Sequence, residues 1–371
     1  MRVGPALWAL ALALSGCVVQ EAEPGGDGAA GRPAEDARGP APDLGAADQG
    51  EPDGFTADAA SDPALDRDGD TDPEPTPPPY DVPPDDAPPA PWAADADPQP
   101  HVARPLDVIC LDARDLIPQA EYAGHRWTFH WRTAQRPRGS TARWVEALAN
   151  PARPAAGGPA DDPATPTACH FLDLAGAWRF ELLARADAQA WQRAATVLIQ
   201  VIPSEDLHVQ LVWDTPDDAD QTDDEGTDVD LHLRHPLAEA WAQAPLDCHF
   251  ANASPDWGPA GPQANPSLDI DDVNGAGPEN INLDAPEDTA ALGAGYRVGV
   301  HYYRSEHLVD GGPAGSLATV RIFLGGVLAG EFERWLPSTD NLWEVAEIHW
   351  EEGLGRVVPI DAFHEDINGL P

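Results

Sequence analysis

Thr227-Asp228-Val229-Asp230-Leu231-His232-Leu233 alternates polar and apolar residues without a break. Successive side chains of a strand point to opposite faces. Val229, Leu231 and Leu233 therefore share one face, and Asp228, Asp230 and His232 share the other. The same period of two recurs on both sides of this stretch. Upstream, Val209, Leu211 and Trp213 alternate with His208 and Gln210, and Thr196–Ile202 is rich in β-branched residues. Further upstream, Trp127, Phe129 and Trp131 share a face, as do Trp178, Phe180 and Leu182. Downstream, Tyr296, Val298, Val300 and Tyr302 form one set, and Val320, Ile322 and Leu324 another. Gly, Pro and Asp bound these runs, and helical periodicity is confined to a weak stretch near Leu237–Ala244. The pattern predicts an all-β chain. It reads as two tandem β-sandwich domains, at 101–203 and 204–351, divided at Pro203-Ser204-Glu205-Asp206. Residues 352–371 read as a C-terminal tail.

The first hundred residues differ in kind. Pro, Ala, Gly, Asp and Glu dominate residues 17–100, and aromatics are nearly absent there. Such a segment has too little apolar surface to offset its ordering entropy, so it reads as a disordered acidic Pro-rich stalk. Asp66-Arg67-Asp68-Gly69-Asp70-Thr71-Asp72 mimics a calcium loop. Thr71 and Pro77, however, stand where an EF-hand needs Gly and Glu. The whole chain of 371 residues carries 64 acids against 21 basic residues, every one an Arg, for a net charge of −43. Nucleic acid would be repelled by such a chain.

At the start, Arg2 precedes an apolar run over Pro5–Leu14. A bilayer span needs about 20 residues, so this run is too short to cross and fits an export signal over 1–16. Leu14-Ser15-Gly16-Cys17 resembles the lipobox of bacterial lipoproteins. That resemblance implies cleavage before Cys17, an acyl anchor on its sulfur and attachment to a membrane. Val18 follows, where Asp would mark inner-membrane retention, so the resemblance points to the outer membrane, on its periplasmic side or at the cell surface.

Two further resemblances cover the body. Trp127-Thr128-Phe129-His130-Trp131 and Asp173-Leu174-Ala175-Gly176-Ala177-Trp178 resemble an Ig-like or PKD-like domain, with Trp178 where the PKD pattern has Tyr. Residues 206–351 resemble the C-terminal domain of uncharacterised bacterial surface lipoproteins. Thr227–Leu233, Asp256-Trp257-Gly258, Pro266–Val273 and Gly277-Pro278-Glu279-Asn280-Ile281-Asn282 carry that likeness. In those relatives a second Cys tends to follow the one at Cys248, where this chain has Ala253. Neither resemblance brings an activity.

Candidate chemistry centres on the acidic face. Asp228 and Asp230 could converge on one cation with Asp269, Asp271, Asp272 and Asn274 from the next acidic segment and Asp220 from the preceding loop. Oxygen donors without clustered Cys favour Ca²⁺ in a structural role. The alternative is a solvated acidic face. Glu279 could add a carboxylate or cap a turn. Cys110 and Cys169, in early and later strands of the first domain, are the suggested disulfide pair, which exported chains permit. Cys169-His170 and Cys248-His249 lack the spacing of zinc sites. No H-E-x-x-H, G-x-S-x-G or P-loop pattern occurs, so the chain reads as a non-enzyme. The expected work is adhesion or scaffolding at the envelope, with an unknown envelope or extracellular protein or glycan as partner. The runner-up is a carbohydrate- or peptide-binding accessory module using Trp241, Trp257 and Trp335, and a metal-dependent hydrolase stands third.

Overall fold

The computed structural model describes residues 83–93, 98–145, 164–221, 226–273, 275–309, 311–365 and 367, and the backbone of 18–20. The expected signal segment 1–16, Cys17, residues 21–82 and 94–97 of the expected stalk, and Asn274 lie outside the described residues. The protein is all-β, as the alternating pattern requires.

The N-terminal part of the body holds seven strands: β1 (Val18–Gln20), β2 (His101–Ala103), β3 (Val108–Asp112), β4 (Trp127–Gln135), β5 (Thr167–Phe171), β6 (Gly176–Ala186) and β7 (Gln192–Val201). They form one sheet in the order β2-β7-β6-β4 and a second in the order β1-β3-β5. Apolar faces of both sheets meet in one core that includes Ile109, Leu111, Trp131, Trp178, Phe180 and Ile199. Cys110 and Cys169 are register partners of β3 and β5 and are joined by a disulfide. Asp173 is buried. It accepts hydrogen bonds from Ser140 Oγ (2.7 Å) and from the backbone N–H of Thr141 and Ala142, which ties down the turn after β4. Trp178, in the place of a Tyr, donates its indole N–H to Leu174 O at 3.1 Å.

The body begins earlier than residue 101. Ala90 is 0% exposed and Ala87 is also buried. Ala90 N–H donates to Arg193 O, and Trp92 Nε1 donates to Ala194 O. Short apolar side chains among the prolines thus cover the edge of β7, and the stalk boundary expected at 100 moves to about 83. At the start of the expected stalk, Val18–Gln20 pairs antiparallel with β3, on an edge that no other strand among the described residues covers.

The C-terminal part holds β8 (Leu207–Asp214), β9 (Thr227–Arg234), β10 (Asp247–Cys248), β11 (Ser267–Ile270), β12 (Glu279–Leu283), β13 (Tyr296–Ser305), β14 (Leu308–Val309), β15 (Gly312–Pro313), β16 (Ser316–Leu324), β17 (Val327–Leu336), β18 (Leu342–Glu351) and β19 (Leu354–His364). Two five-stranded sheets, ordered β10-β9-β13-β18-β19 and β11-β12-β8-β16-β17, share a second core. The β9 residues Val229, Leu231 and Leu233 sit in it, with Leu211, Trp213, Val300 and Ile322. The expected tail is instead strand β19. Glu352 and Gly353 take φ of 53° and 78°, the paired left-handed turn that matches strand twist, so the chain folds straight back on β18. Val357 and Phe363 then pack on the core. The weak helical stretch near Leu237–Ala244 is a run of turns, with Ala242 at φ 53°.

The two parts touch through the turn after β4. Arg321 donates from Nη2 to Arg138 O at 2.8 Å, and Arg138 pairs with Glu333 at 2.5 Å. Gly139 has φ +86°, and a Cβ there would stand 2.7 Å from Val212 Cγ2. Gly139→Ala therefore brings both left-handed strain and a clash against the buried Val212 side chain. We expect a loss of about 2 kcal/mol, read as a lower midpoint in thermal unfolding.

Candidate functional site

The acidic face of β9 does not face water. Asp228, Asp230 and His232 are all buried. Two covers account for this: the segment 269–277 between β11 and β12, and the turns of 235–253. β10 covers only Leu233 and Arg234 on the outer edge of β9, which leaves the Leu231 N–H unpaired by any strand there. Glu279, the first residue of β12 in the opposite sheet, fills that gap. The Leu231 N–H donates to Glu279 Oε2 at 2.6 Å.

One carboxylate oxygen each from Asp230, Asp271 and Glu279 lie within 4.8 Å of one another. Asp228 stands next to them. Asp228 Oδ1, Asp230 Oδ2 and Glu279 Oε1 are buried and have no hydrogen-bond partner. Glu279 is 0% exposed. Electrostatics follow from this crowding. Burial, with Asp271 and Asp272 nearby, pushes Asp228 up to about 7 against the pull of Arg304. Burial and then the charges of Asp228 and Asp271 push Asp230 up to about 8. Burial, with Asp230 next, raises Glu279 far above an ordinary carboxyl. A buried carboxylate without a partner either keeps its proton or meets a cation. Each of these groups offers oxygen, the hard donor that Ca²⁺ takes six to eight times at about 2.3–2.6 Å.

The segment 269–277 brings Asp271 in by a tight turn. Asp272 Oδ2 accepts the Gly277 N–H at 2.9 Å. A side chain at Gly275 would push that same carboxylate aside. Asp272, expected as a ligand, is thus a turn cap.

The other expected ligands divide as follows. Asp269 is turned away: it accepts from Ser267 Oγ at 3.1 Å and from Asn282 Nδ2, on the outer face of the β11–β12 pair. Alternation places it opposite to Leu268, whose side chain enters the core. Asp220 belongs to the turn before β9, its N–H donating to Asp218 Oδ1, and is not in the group. Glu279 does not cap a turn: it accepts from the Leu231 N–H of β9 and stands with the carboxylates of Asp230 and Asp271.

The tryptophan set also divides. Trp257 is 6% exposed, stacked on Tyr296 at 5.7 Å, with its N–H donated to Pro245 O. It is a core residue and not a platform, because the turns of 245–265 wrap around it. Trp241 lies over Gly299, with the Arg234 guanidinium 4.7 Å above its ring. Trp335 keeps 46% of its surface exposed. Cys248 is a buried free thiol whose Sγ lies 3.6 Å from Ala253 O, beside the position where a second Cys is absent.

No protein-family model and no curated protein matches the chain.

Proposed function

We propose that the chain is an envelope lipoprotein, acyl-anchored at Cys17 on the outer membrane, whose C-terminal sandwich is closed by a Ca²⁺ ion. It works as a non-catalytic adhesion or scaffold module. The observation that carries the Ca²⁺ part is the set of buried, partnerless oxygens on Asp228, Asp230 and Glu279 beside Asp271. These residues come from β9, from the 269–277 segment and from the opposite sheet. An ion among them would therefore fasten two sheets and a loop together. That placement favours a structural role over turnover, since Glu279 and Asp230 are closed off from substrate. Lipobox likeness supports the anchor, and the acidic Pro-rich composition of residues 21–82 supports an exported, solvated tether.

Thermal melting of the chelator-treated chain at pH 8, with and without Ca²⁺, tests the ion. Ca²⁺ at about a hundred times its dissociation constant should stabilise by about 2.7 kcal/mol. Asp230→Asn removes the buried charge and a ligand together. The variant should melt higher than the ion-free parent and should not respond to Ca²⁺. Asp271→Asn, at an exposed position, gives the same loss of response without risk to the core. A parent midpoint unmoved by Ca²⁺ would overturn the reading.

A further inference from the structure

The polar seam of β9 continues past Asp230. His232 and His301 occupy neighbouring strands, with Gly299 opposite His232 and Asp230 opposite His301 in the β9–β13 register. His249, just after β10, stacks on His232 with ring centres 4.8 Å apart, and His301 meets His232 edge-on at 6.2 Å. All three side chains are more than nine-tenths buried. His232 Nε2, His249 Nδ1 and both ring nitrogens of His301 have no hydrogen-bond partner. Buried polar atoms rarely go unpartnered, and four bare imidazole nitrogens in one seam call for a ligand.

The arrangement around His232 is that of a metal-ligating histidine. Its Nδ1 lies 3.0 Å from Asp247 Oδ2. Asp247 is itself fixed by the Ala242 N–H at 2.6 Å. A carboxylate that accepts a hydrogen bond from Nδ1–H fixes the tautomer and leaves a lone pair on Nε2, as outer-shell carboxylates do at metal sites. His301 Nδ1 stands 3.9 Å from Asp230 Oδ2. That gap is too long for a hydrogen bond. Two donors on one tetrahedral ion with bonds of about 2.0–2.1 Å stand about 3.3 Å apart, so ring and carboxylate must close by about half an ångström to share it. No hydrogen bond fixes the His301 ring, which is held only by packing and by its edge contact with Tyr303, so turning it toward the seam breaks no hydrogen bond.

We propose that His232 and His301, with Asp230, bind a second divalent ion of the borderline, nitrogen-preferring class that Zn²⁺ and Co²⁺ represent. His249 lines the same seam, and Asp230 lies between this ion and the carboxylate-held one. Imidazole suits such ions, whereas Ca²⁺ takes oxygen, so the two halves of the seam select different metals. Local sequence spacing does not announce the set because its donors come from separate strands. The proposal rests on the Ca²⁺ reading only in sharing Asp230.

The test titrates Co²⁺ into the full chain after chelation and saturation with Ca²⁺. The expected result is one equivalent bound, with the intense visible bands of four-coordinate Co²⁺ that Zn²⁺ abolishes. His232→Gln and His301→Gln should each weaken Co²⁺ binding by at least about tenfold while the Ca²⁺-induced rise in melting midpoint persists. Asp271→Asn should do the reverse, losing the Ca²⁺ response and keeping the Co²⁺ bands. The parent spectrum reads nitrogen coordination directly, whatever the variants do to folding. Absence of these bands in the parent would overturn the second site. So would Co²⁺ displaced by Ca²⁺ from a single shared site, or bands unchanged in both histidine variants. A chain that binds Co²⁺ as expected but ignores Ca²⁺ would retain this site and refute the carboxylate one.

Discussion

Stripped of divalent ions, the protein should lose stability as pH rises from about 6.5 to 8, and Ca²⁺ should cancel that loss. Asp228 and Asp230 titrate at about 7 and 8 in the fold, against 3.8 as free groups. Glu279 is raised as well, by burial above all. The folded state therefore holds protons that the unfolded chain has released. Stability from a raised group is fully present below its unfolded titration point and is lost as pH climbs through the folded one. Buried imidazoles act in the opposite sense. His170 and His301 are pushed down to about 4 by burial, so their contribution grows with pH and is complete by about 6.5. Carboxyls held low by arginines, such as Glu181 and Asp361, titrate below the window too. Between about 6.5 and 8 these three raised carboxyls act together, and Asp173 and Asp269, also raised by burial, act in the same sense. Each pH unit is about 1.4 kcal/mol per fully titrating group. Allowing for their mutual coupling, the ion-free fold should lose about 3 kcal/mol, or on the order of 10 °C in midpoint.

With Ca²⁺ the sign turns. An ion needs the ligands deprotonated, so its affinity rises over the same window that weakens the empty site. Melting curves at pH 6.5 and 8 should therefore cross between the ion-free and Ca²⁺-loaded protein. Parallel curves would mean that the carboxyls find protons or partners unrelated to a cation. A drop of this size is a large share of a typical 5–15 kcal/mol domain stability. Ion loss would then leave the C-terminal sandwich marginal at pH 8.

Much of this site was legible in the strand pattern, and the reason it was not fully legible is also physical. Alternation places Asp228, Asp230 and His232 on one face, and it puts Val229, Leu231 and Leu233 in the core. Alternation does not tell what lies over the polar face. That depends on the long connections 235–253 and 269–277, whose course is set by contacts distant in sequence, such as Trp241 lying over Gly299. Glu279 illustrates the same limit. Its role depends on β12 passing the open edge of β9, a pairing between sheets that no local spacing encodes. Asp269 fails as a ligand for a local reason that was readable: Leu268 takes the core side, so Asp269 must face out. Strand β19 was missed because only intermediate and exposed residues alternate along it, which leaves no clear apolar face to count.

Removing the Cys110–Cys169 disulfide should cost the N-terminal sandwich about 4 kcal/mol and leave the C-terminal one in place. The bond closes a loop with a sequence separation of 59, and chain-entropy arguments put that closure at about 4 kcal/mol. β3 and β5 contribute few core residues beyond Ile109, Leu111 and Ala168, so their sheet leans on the crosslink. The two cores share no residue. Contacts across the junction include those of Arg138 with Arg321 and Glu333 and the packing of Gly139 on Val212. Cys110→Ser/Cys169→Ser, or a reductant, should therefore lower one calorimetric transition by on the order of 10 °C, while the Ca²⁺-dependent transition keeps its midpoint. Cys248→Ser serves as the control. It exchanges a buried thiol near Ala253 O for a hydroxyl that can donate to the same carbonyl, and should move stability by about 1 kcal/mol at most. If both transitions fall together in the double variant, the sandwiches unfold as one cooperative unit. The turn at Arg138–Ser140 would then be transmitting the stability of one core to the other, and Gly139→Ala should uncouple them.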